Sequence, residues 1–295
     1  MKTAFKLYKL KMESPSEIFI NRIYKLILGK EKATEQKYKY HSDIIKRKYL
    51  KDNATWNFNG IRLPINEYDE NFQAMYAVYL DSLFVYCTYD DNYDCSLIDQ
   101  LDEVLPEGTY GYKNELIDVT VKKDDIVIDA GAWIGDFSAY ASVKGAKVFA
   151  FEPGKHILKY LYKTSELNSN ITVVEKGLSD ESGISYLTNS VGDSSSNQIV
   201  TSGDSDDQIE LISIDNFVKE NNLQRVDFIK ADIEGFERNM LLGAKQTLKT
   251  FAPKLAICTY HLPDDPQVLA KIILDANPNY VIVQKRKKLY AMVKQ

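Results

Sequence analysis

Two short segments combine glycine and acidic residues at a spacing that suits a cofactor carrying a ribose. Residues 129–135 are DAGAWIG and follow a β-branched run, and Glu152 ends the next β-branched run. Glycines in a turn between a strand and a helix let the backbone approach a ligand closely. An acidic residue about 20 positions further on accepts hydrogen bonds from two ribose hydroxyls. The pattern therefore predicts a cofactor site at the carboxyl ends of two strands.

The residues of the glycine turn distinguish two classes of cofactor. A dinucleotide fingerprint, G-x-G-x-x-G, needs a second glycine two positions after the first. Trp133 stands two positions after Gly131 instead. Because a bulky indole blocks the approach of a pyrophosphate, the turn disfavours a nicotinamide oxidoreductase and favours a cofactor without pyrophosphate.

The remaining cofactor contacts are predicted from the same architecture. Asp129 is expected to accept a hydrogen bond from a water or an ammonium group, and Gly135 to let the first helix pack tightly. The segment EKGLSD at 175–180 follows the third strand and is expected to lie beside an adenine, with Leu178 over the ring or the segment forming a plain turn. The predicted cofactor-binding residues are Asp129, Gly131, Ala132, Trp133, Gly135, Glu152, Pro153, Gly177, Leu178 and Asp232.

From Asp124 onward, short β-branched runs alternate with helical segments, which predicts right-handed βαβ units and a mostly parallel sheet. The last two runs, YVIVQKR and KLYAMVK, have almost no link between them, so they must pair antiparallel. This ending is typical of the class I methyltransferases. The predicted strands are 126–131, 147–152, 171–178, 226–233, 254–260 and the two terminal runs.

The segments VIDAGAWIGDFS, KVFAFEP, VVEKGLSD, VDFIKADIEGFE and ICTYH occur in this order. Together they resemble the FkbM-type methyltransferase family, over about residues 108–287. The resemblance implies a Rossmann-like class I α/β fold, a seven-stranded sheet ending in an antiparallel hairpin, and S-adenosylmethionine as cofactor. It also implies methyl transfer to an oxygen of a sugar, a glycan or another small hydroxyl acceptor.

Three residues at predicted strand ends are the catalytic candidates. Asp232 and Glu234 flank the end of the fourth strand, and His261 follows the fifth. Transfer to an alcohol needs its proton removed or its pKa lowered, and histidine is the commonest general base. Glu234 is alternatively an N-terminal helix residue. No metal is predicted, with a divalent cation on Asp232, Glu234 and His261 as the alternative.

The first part of the chain, residues 1–107, is predicted to be a helical extension with a small hairpin, and 108–295 to be the methyltransferase domain. Helices are expected over about 14–28 and 70–86, and a hairpin around Asn59-Gly60. The polar insertion at 189–208 is a candidate lid.

Composition limits the function classes. The net charge of −5 gives no overall indication of nucleic-acid binding, although residues 1–51 carry an excess of Lys and Arg. That excess is interpreted as a solvated helical surface, with a binding arm as the alternative. The three cysteines and the absence of a signal peptide or apolar span predict a cytoplasmic location, and a homodimer stays possible. Two further hypotheses stay open, an N-methyltransferase for protein or RNA and a non-catalytic cofactor-binding module.

Overall fold

The computed structural model describes six stretches of the chain: residues 50–52, 55–58, 60–64, 110–187, 199–200 and 208–294. The chain divides between Pro106 and Glu107 into two units, and each is described by itself. The helices predicted near 14–28 and 70–86 lie outside the described residues. So do nearly all of the basic segment and most of the candidate lid.

The described part of the first unit is a three-stranded antiparallel sheet in the order β1-β2-β3. Its strands are β1 (Leu50–Asp52), β2 (Thr55–Phe58) and β3 (Ile61–Pro64). Gly60 has a φ of 97°, a left-handed conformation that glycine adopts without steric cost. The hairpin predicted around Asn59-Gly60 is therefore confirmed.

The second unit alternates strands and helices along the chain. Its strands are β4 (Tyr112–Lys113), β5 (Asp118–Val119), β6 (Ile126–Ala130), β7 (Lys147–Phe151), β8 (Ile171–Val174), β9 (Lys176–Leu178), β10 (Gly183–Leu187), β11 (Ile199–Val200), β12 (Gln208–Ile212), β13 (Phe228–Ala231), β14 (Lys254–Cys258), β15 (Tyr280–Lys285) and β16 (Lys288–Val293). Its helices are α1 (Asp136–Val143), α2 (Lys155–Leu167), α3 (Ile214–Glu220), α4 (Glu237–Leu242), α5 (Lys245–Thr250) and α6 (Asp265–Ala276).

Seven of these strands form the central sheet, in the order β15-β16-β14-β13-β6-β7-β8. The pairs from β14 to β8 are parallel, whereas β16 is antiparallel to both β14 and β15. The predicted class I fold with its antiparallel ending is thus confirmed. After β6, the chain first forms β7 and β8 on one side of that strand, and then forms β13, β14 and the two terminal strands on its other side. The boundary between β6 and β13 is therefore the topological switch point.

The core explains why the central strands are mostly apolar. Phe149 and Phe151 on β7 join a large buried cluster with residues of α3 to α6, whereas Ala150 joins a second cluster with Leu158 and Leu161 of α2. Because alternate side chains of a strand point to opposite faces, helices cover both faces of the sheet. A sheet buried on both faces needs apolar residues throughout its inner strands.

Two predicted elements are interrupted in the structure. The third predicted strand, 171–178, breaks at Glu175, because β9 leaves the central sheet and pairs parallel with β12. β9 and β12 belong to a separate four-stranded sheet, β11-β10-β12-β9, which the sequence pattern did not indicate. The helical segment that the alternation places between β13 and β14 is also divided, at Gly243, where a Cβ atom would overlap the carbonyl oxygen of Ser179.

Candidate functional site

The glycine turn leaves β6 in the conformation that its residue types require. Gly131 and Gly135 have φ angles of 73° and 84°, and Trp133 has a φ of 49°. The amides of Gly131 and Ala132 both donate to the carbonyl of Phe151, at 3.1 and 2.9 Å. The turn is therefore tied to the carboxyl end of β7, where Glu152 stands.

The two glycines of the turn serve packing as well as conformation. A Cβ on Gly131 would overlap the carbonyl oxygen of Asp232, and a Cβ on Gly135 would lie 2.7 Å from Leu161 Cδ1. Gly135 thus allows α1 to pack on α2, as predicted. The close neighbour of Gly131 is the end of β13, so this glycine is needed by the fold itself and not only by a ligand.

Glu152 lies directly beside the glycine turn. Its Oε2 accepts a hydrogen bond from the amide of Trp133 at 3.0 Å, and its Oε1 accepts one from the amide of Gly154 at 2.8 Å. Removal from water raises the pKa of Glu152 to about 7, although these two amides favour the ionised form. A carboxylate offers about four acceptor positions, so two bonds to the backbone leave capacity for a ligand.

Asp129 is fully buried and already bound by other side chains. Its Oδ2 accepts from the hydroxyl of Ser138 at 2.6 Å, and its Oδ1 lies 3.0 Å from Nζ of Lys230. Lys230 also donates to the carbonyl of Gly131 at 2.6 Å. Burial opposes the charge of Lys230, but Asp129, Asp232 and Asp136 raise its pKa above the usual value. The ammonium group that Asp129 meets is thus that of Lys230, which favours a positioning role for the pair.

Three more of the predicted cofactor-binding residues lie after β7 and in β9. Pro153 follows Glu152 and is partly buried, whereas Gly177 and Leu178 are buried in β9. Leu178 belongs to the large core cluster. Contact between Leu178 and a cofactor ring stays a prediction.

Asp232 is the centre of a polar cluster at the carboxyl end of β13. Its Oδ2 accepts from the hydroxyl of Tyr110, and its Oδ1 accepts from the hydroxyl of Tyr260 at 2.9 Å. Burial alone would raise the pKa of Asp232. The charges of Lys230 and Lys288 and the bond from Tyr110 outweigh burial and hold that pKa below its usual value.

His261 lies between three carboxylates. Its Nε2 is 3.5 Å from Oδ1 of Asp232 and 3.5 Å from Oε2 of Glu234, and its Nδ1 is 3.0 Å from Oε1 of Glu237. Burial lowers the pKa of His261, but the nearby carboxylates of Glu234, Glu237 and Asp232 raise it to about 10. The structure therefore brings all three catalytic candidates together.

Several residues of this cluster were not selected from the sequence. Tyr110 is 122 positions from Asp232 and belongs to no motif, so nothing in the sequence indicates its contact. Tyr260 is next to His261 in the sequence. Lys230 stands two positions before Asp232, on the same side of an extended strand. Glu237 is the first residue of α4, and its Oε1 lies 3.0 Å from Nδ1 of the imidazole.

The family model for the methyltransferase FkbM domain matches residues 129–281, just over half of the chain. The chain belongs to the FkbM methyltransferase family. The predicted resemblance is confirmed, and the predicted cofactor, S-adenosylmethionine, agrees with this membership. The matched range contains the glycine turn, Glu152, Asp232 and His261.

Similar proteins include the hexuronic acid methyltransferase AglP of Haloferax volcanii, which is 29% identical over 157 residues. That alignment covers 52% of this chain and 64% of the relative, so the chain spans less than two thirds of the relative's length.

Two solved structures are also similar. Methyltransferase FkbM from Methylobacillus flagellatus KT has a TM-score of 0.47 and 21% identity, covering 76% of this chain and 55% of that one. A methyltransferase from Aquifex aeolicus has a TM-score of 0.37 and 16% identity, covering 69% and 100%. Because both TM-scores are low, the fold class rests on the strand order described above.

Among the residues that the structure describes, no helix combines the length and apolar character needed to cross a membrane.

Proposed function

We propose that this chain is an S-adenosylmethionine-dependent methyltransferase that methylates a hydroxyl of a sugar or glycan. The observation that carries the proposal is the position of Glu152 against the turn at residues 131–135, one strand away from the switch point. At that crevice, ligands bind outside the carboxyl ends of the strands. Asp232 follows β13, on the other side of that switch point. The residues proposed to bind the cofactor therefore adjoin those proposed to bind the acceptor.

The residues present suit the cofactor. Glu152 is held by two backbone amides and retains acceptor positions for the two ribose hydroxyls. Residues 131–135 line the turn through which the rest of the cofactor would pass, with Lys230 and Asp129 fixing the carbonyl of Gly131. We assign Ala132, Pro153, Gly177 and Leu178 to the surroundings of the nucleoside.

S-adenosylmethionine supplies a methyl group on a positively charged sulfur. When the acceptor oxygen forms its bond to the methyl carbon, the carbon–sulfur bond breaks and its electron pair stays on sulfur. The acceptor proton must leave, and Asp232 and Glu234 are the groups positioned to take it. His261, whose pKa is raised to about 10, would carry a charge near neutral pH and would orient these two carboxylates. Holding the acceptor in line with the methyl group supplies much of the acceleration.

The acceptor class is proposed from the relative and from the site. The relative is named for action on a hexuronic acid, and the partly exposed carboxylates of Asp232 and Glu234 beside two tyrosine hydroxyls offer hydrogen-bond partners for a polyhydroxylated molecule. Residues 108–295 would form the catalytic domain and 1–107 an appended region of separate role. The cytoplasmic location stays a prediction.

The test is an assay with S-adenosylmethionine and hexuronic acid glycosides as acceptors, followed by mass spectrometry of the sugar. The expected product carries one added methyl group that resists mild alkali, as an ether does and a carboxyl ester does not. Binding of S-adenosylhomocysteine is measured in parallel by calorimetry. An alkali-labile product would refute hydroxyl methylation, and no binding of S-adenosylhomocysteine would refute the proposed enzyme class.

A further inference from the structure

The cluster of Asp232, Glu234 and His261 has a geometry that hydrogen bonding does not explain. Neither ring nitrogen of His261 makes a hydrogen bond of good geometry: Nε2 lies 3.5 Å from two carboxylate oxygens, and Nδ1 lies 3.0 Å from Oε1 of Glu237. The imidazole is only 6% exposed. Nε2 is therefore directed between two carboxylates at a distance longer than an ordinary hydrogen bond.

The same spacing suits three ligands around one cation. One ligand atom from each residue can be chosen so that all three lie within 4.8 Å of one another. Divalent metals bind imidazole nitrogen and carboxylate oxygen at about 2.1 Å. Two such ligands at a tetrahedral angle are then about 3.4 Å apart, and at a right angle about 3.0 Å apart. The observed 3.5 Å separations are close to the tetrahedral value.

Glu237 supplies the support that a metal-binding histidine normally has. It is fully buried, and its Oε1 lies 3.0 Å from His261 Nδ1. The same carboxylate accepts hydrogen bonds from the amides of Ile233 and Gly235, at 2.8 and 3.1 Å. A carboxylate on the second ring nitrogen fixes the imidazole and directs Nε2 toward a metal. Glu237 thus orients His261 and holds the loop that carries Glu234.

We propose that Asp232, Glu234 and Nε2 of His261 bind a divalent first-row metal cation. Mixed imidazole and carboxylate ligands suit Mn²⁺, Fe²⁺ or Zn²⁺ better than Ca²⁺. Glu234 is 26% exposed and Asp232 19%, so the cation would have coordination positions open toward the crevice. Two neighbouring oxygens of a sugar would occupy them, and the metal would lower the pKa of the reacting hydroxyl.

The role of the metal in transfer rests on the proposed function, whereas its binding does not. The charges of Lys230 and Lys288 near Asp232 offset part of the negative charge. We therefore expect the affinity to depend on the charge of Glu234 as well as on that of Asp232.

The test measures Mn²⁺ binding to the full chain by calorimetry, without any acceptor. Glu234→Gln keeps the size of the side chain and removes its charge, and it is expected to weaken Mn²⁺ binding at least about tenfold. Glu181→Gln makes the same change at an exposed position outside the cluster, and is expected to leave binding unchanged. Binding of S-adenosylhomocysteine to each variant, measured separately, shows whether the cofactor site is intact.

Spectroscopy identifies the ligand directly. Pulsed electron paramagnetic resonance of bound Mn²⁺ is expected to show coupling to a ring nitrogen, which is lost in His261→Gln. Absence of Mn²⁺, Fe²⁺ and Zn²⁺ binding to the wild-type chain would overturn the proposal. Equal Mn²⁺ affinity in wild type and Glu234→Gln, or a spectrum without nitrogen coupling, would do the same. Normal binding of S-adenosylhomocysteine alongside such a result would leave the proposed enzyme class standing.

Discussion

Replacing Glu152 by Gln tests the cofactor site most directly. The backbone amides of Trp133 and Gly154 point at opposite oxygens of this carboxylate. Whichever way the Gln amide is turned, its NH₂ group faces one of those donors, and only one acceptor oxygen remains for the ribose. Hydrogen bonds to charged groups contribute about 1.5–3 kcal/mol each. Losing one of the two ribose bonds should then weaken binding by about 10- to 150-fold.

The assay is calorimetry with S-adenosylhomocysteine, which reports binding without turnover. Glu220→Gln is the matched control, because Glu220 is an exposed carboxylate at the end of α3 and belongs to no predicted cofactor-binding segment. Its variant should bind within about twofold of wild type, since exposed charges are screened by salt. The 2′,3′-dideoxy analogue of the ligand has no ribose hydroxyls and should bind wild type and Glu152→Gln equally. An equal loss for both ligands would refute the assignment of Glu152 to the ribose.

Three further outcomes follow from the same geometry. Because the pKa of Glu152 is raised to about 7, its acceptor form is lost as pH falls. The Kd for S-adenosylhomocysteine should therefore rise by about tenfold per pH unit well below 7, and Glu152→Gln should remove this dependence. Lys230→Met leaves Asp129 as an unpaired buried charge and should lower the free energy of unfolding by about 3–5 kcal/mol in urea titrations. A loss below about 1 kcal/mol would contradict the buried pair. In Gly131→Ala, the new methyl group would overlap a backbone carbonyl oxygen, and alanine would have to adopt a positive φ. The substitution should therefore lower the free energy of unfolding by more than about 2 kcal/mol. Gly183→Ala has nothing within 4 Å of the new methyl group and should stay within about 0.5 kcal/mol of wild type.

The behaviour expected of Gly131 changes one interpretation drawn from the sequence. The sequence indicates for Gly131 only a role in letting the backbone approach a ligand closely. In the structure, a side chain at this position would overlap the carbonyl oxygen of Asp232 at the end of β13. Substitution at this position therefore tests packing and binding together, and Glu152 is the better probe of binding alone.

Most of the fold was predictable from local patterns. The alternation of β-branched runs and helices from Asp124 onward specified the parallel sheet, and the short link after β15 specified its antiparallel ending. These features depend on residues close together in the chain, where hydrophobic period and turn length act directly. The glycine turn and Glu152 also followed from spacing, because adjacent parallel strands bring their carboxyl ends together.

The contacts around Asp232 and His261 were decided only by the tertiary structure. Tyr110 precedes the first strand of the central sheet, and its hydroxyl meets Asp232 because of how that segment packs. Lys230 neutralises Asp129 because two strands separated by about a hundred residues pair side by side. Sequence could name Asp232, Glu234 and His261 as candidates at strand ends. Whether their atoms converge within a few ångströms depends on the backbone path of two loops, and no local pattern specifies that path.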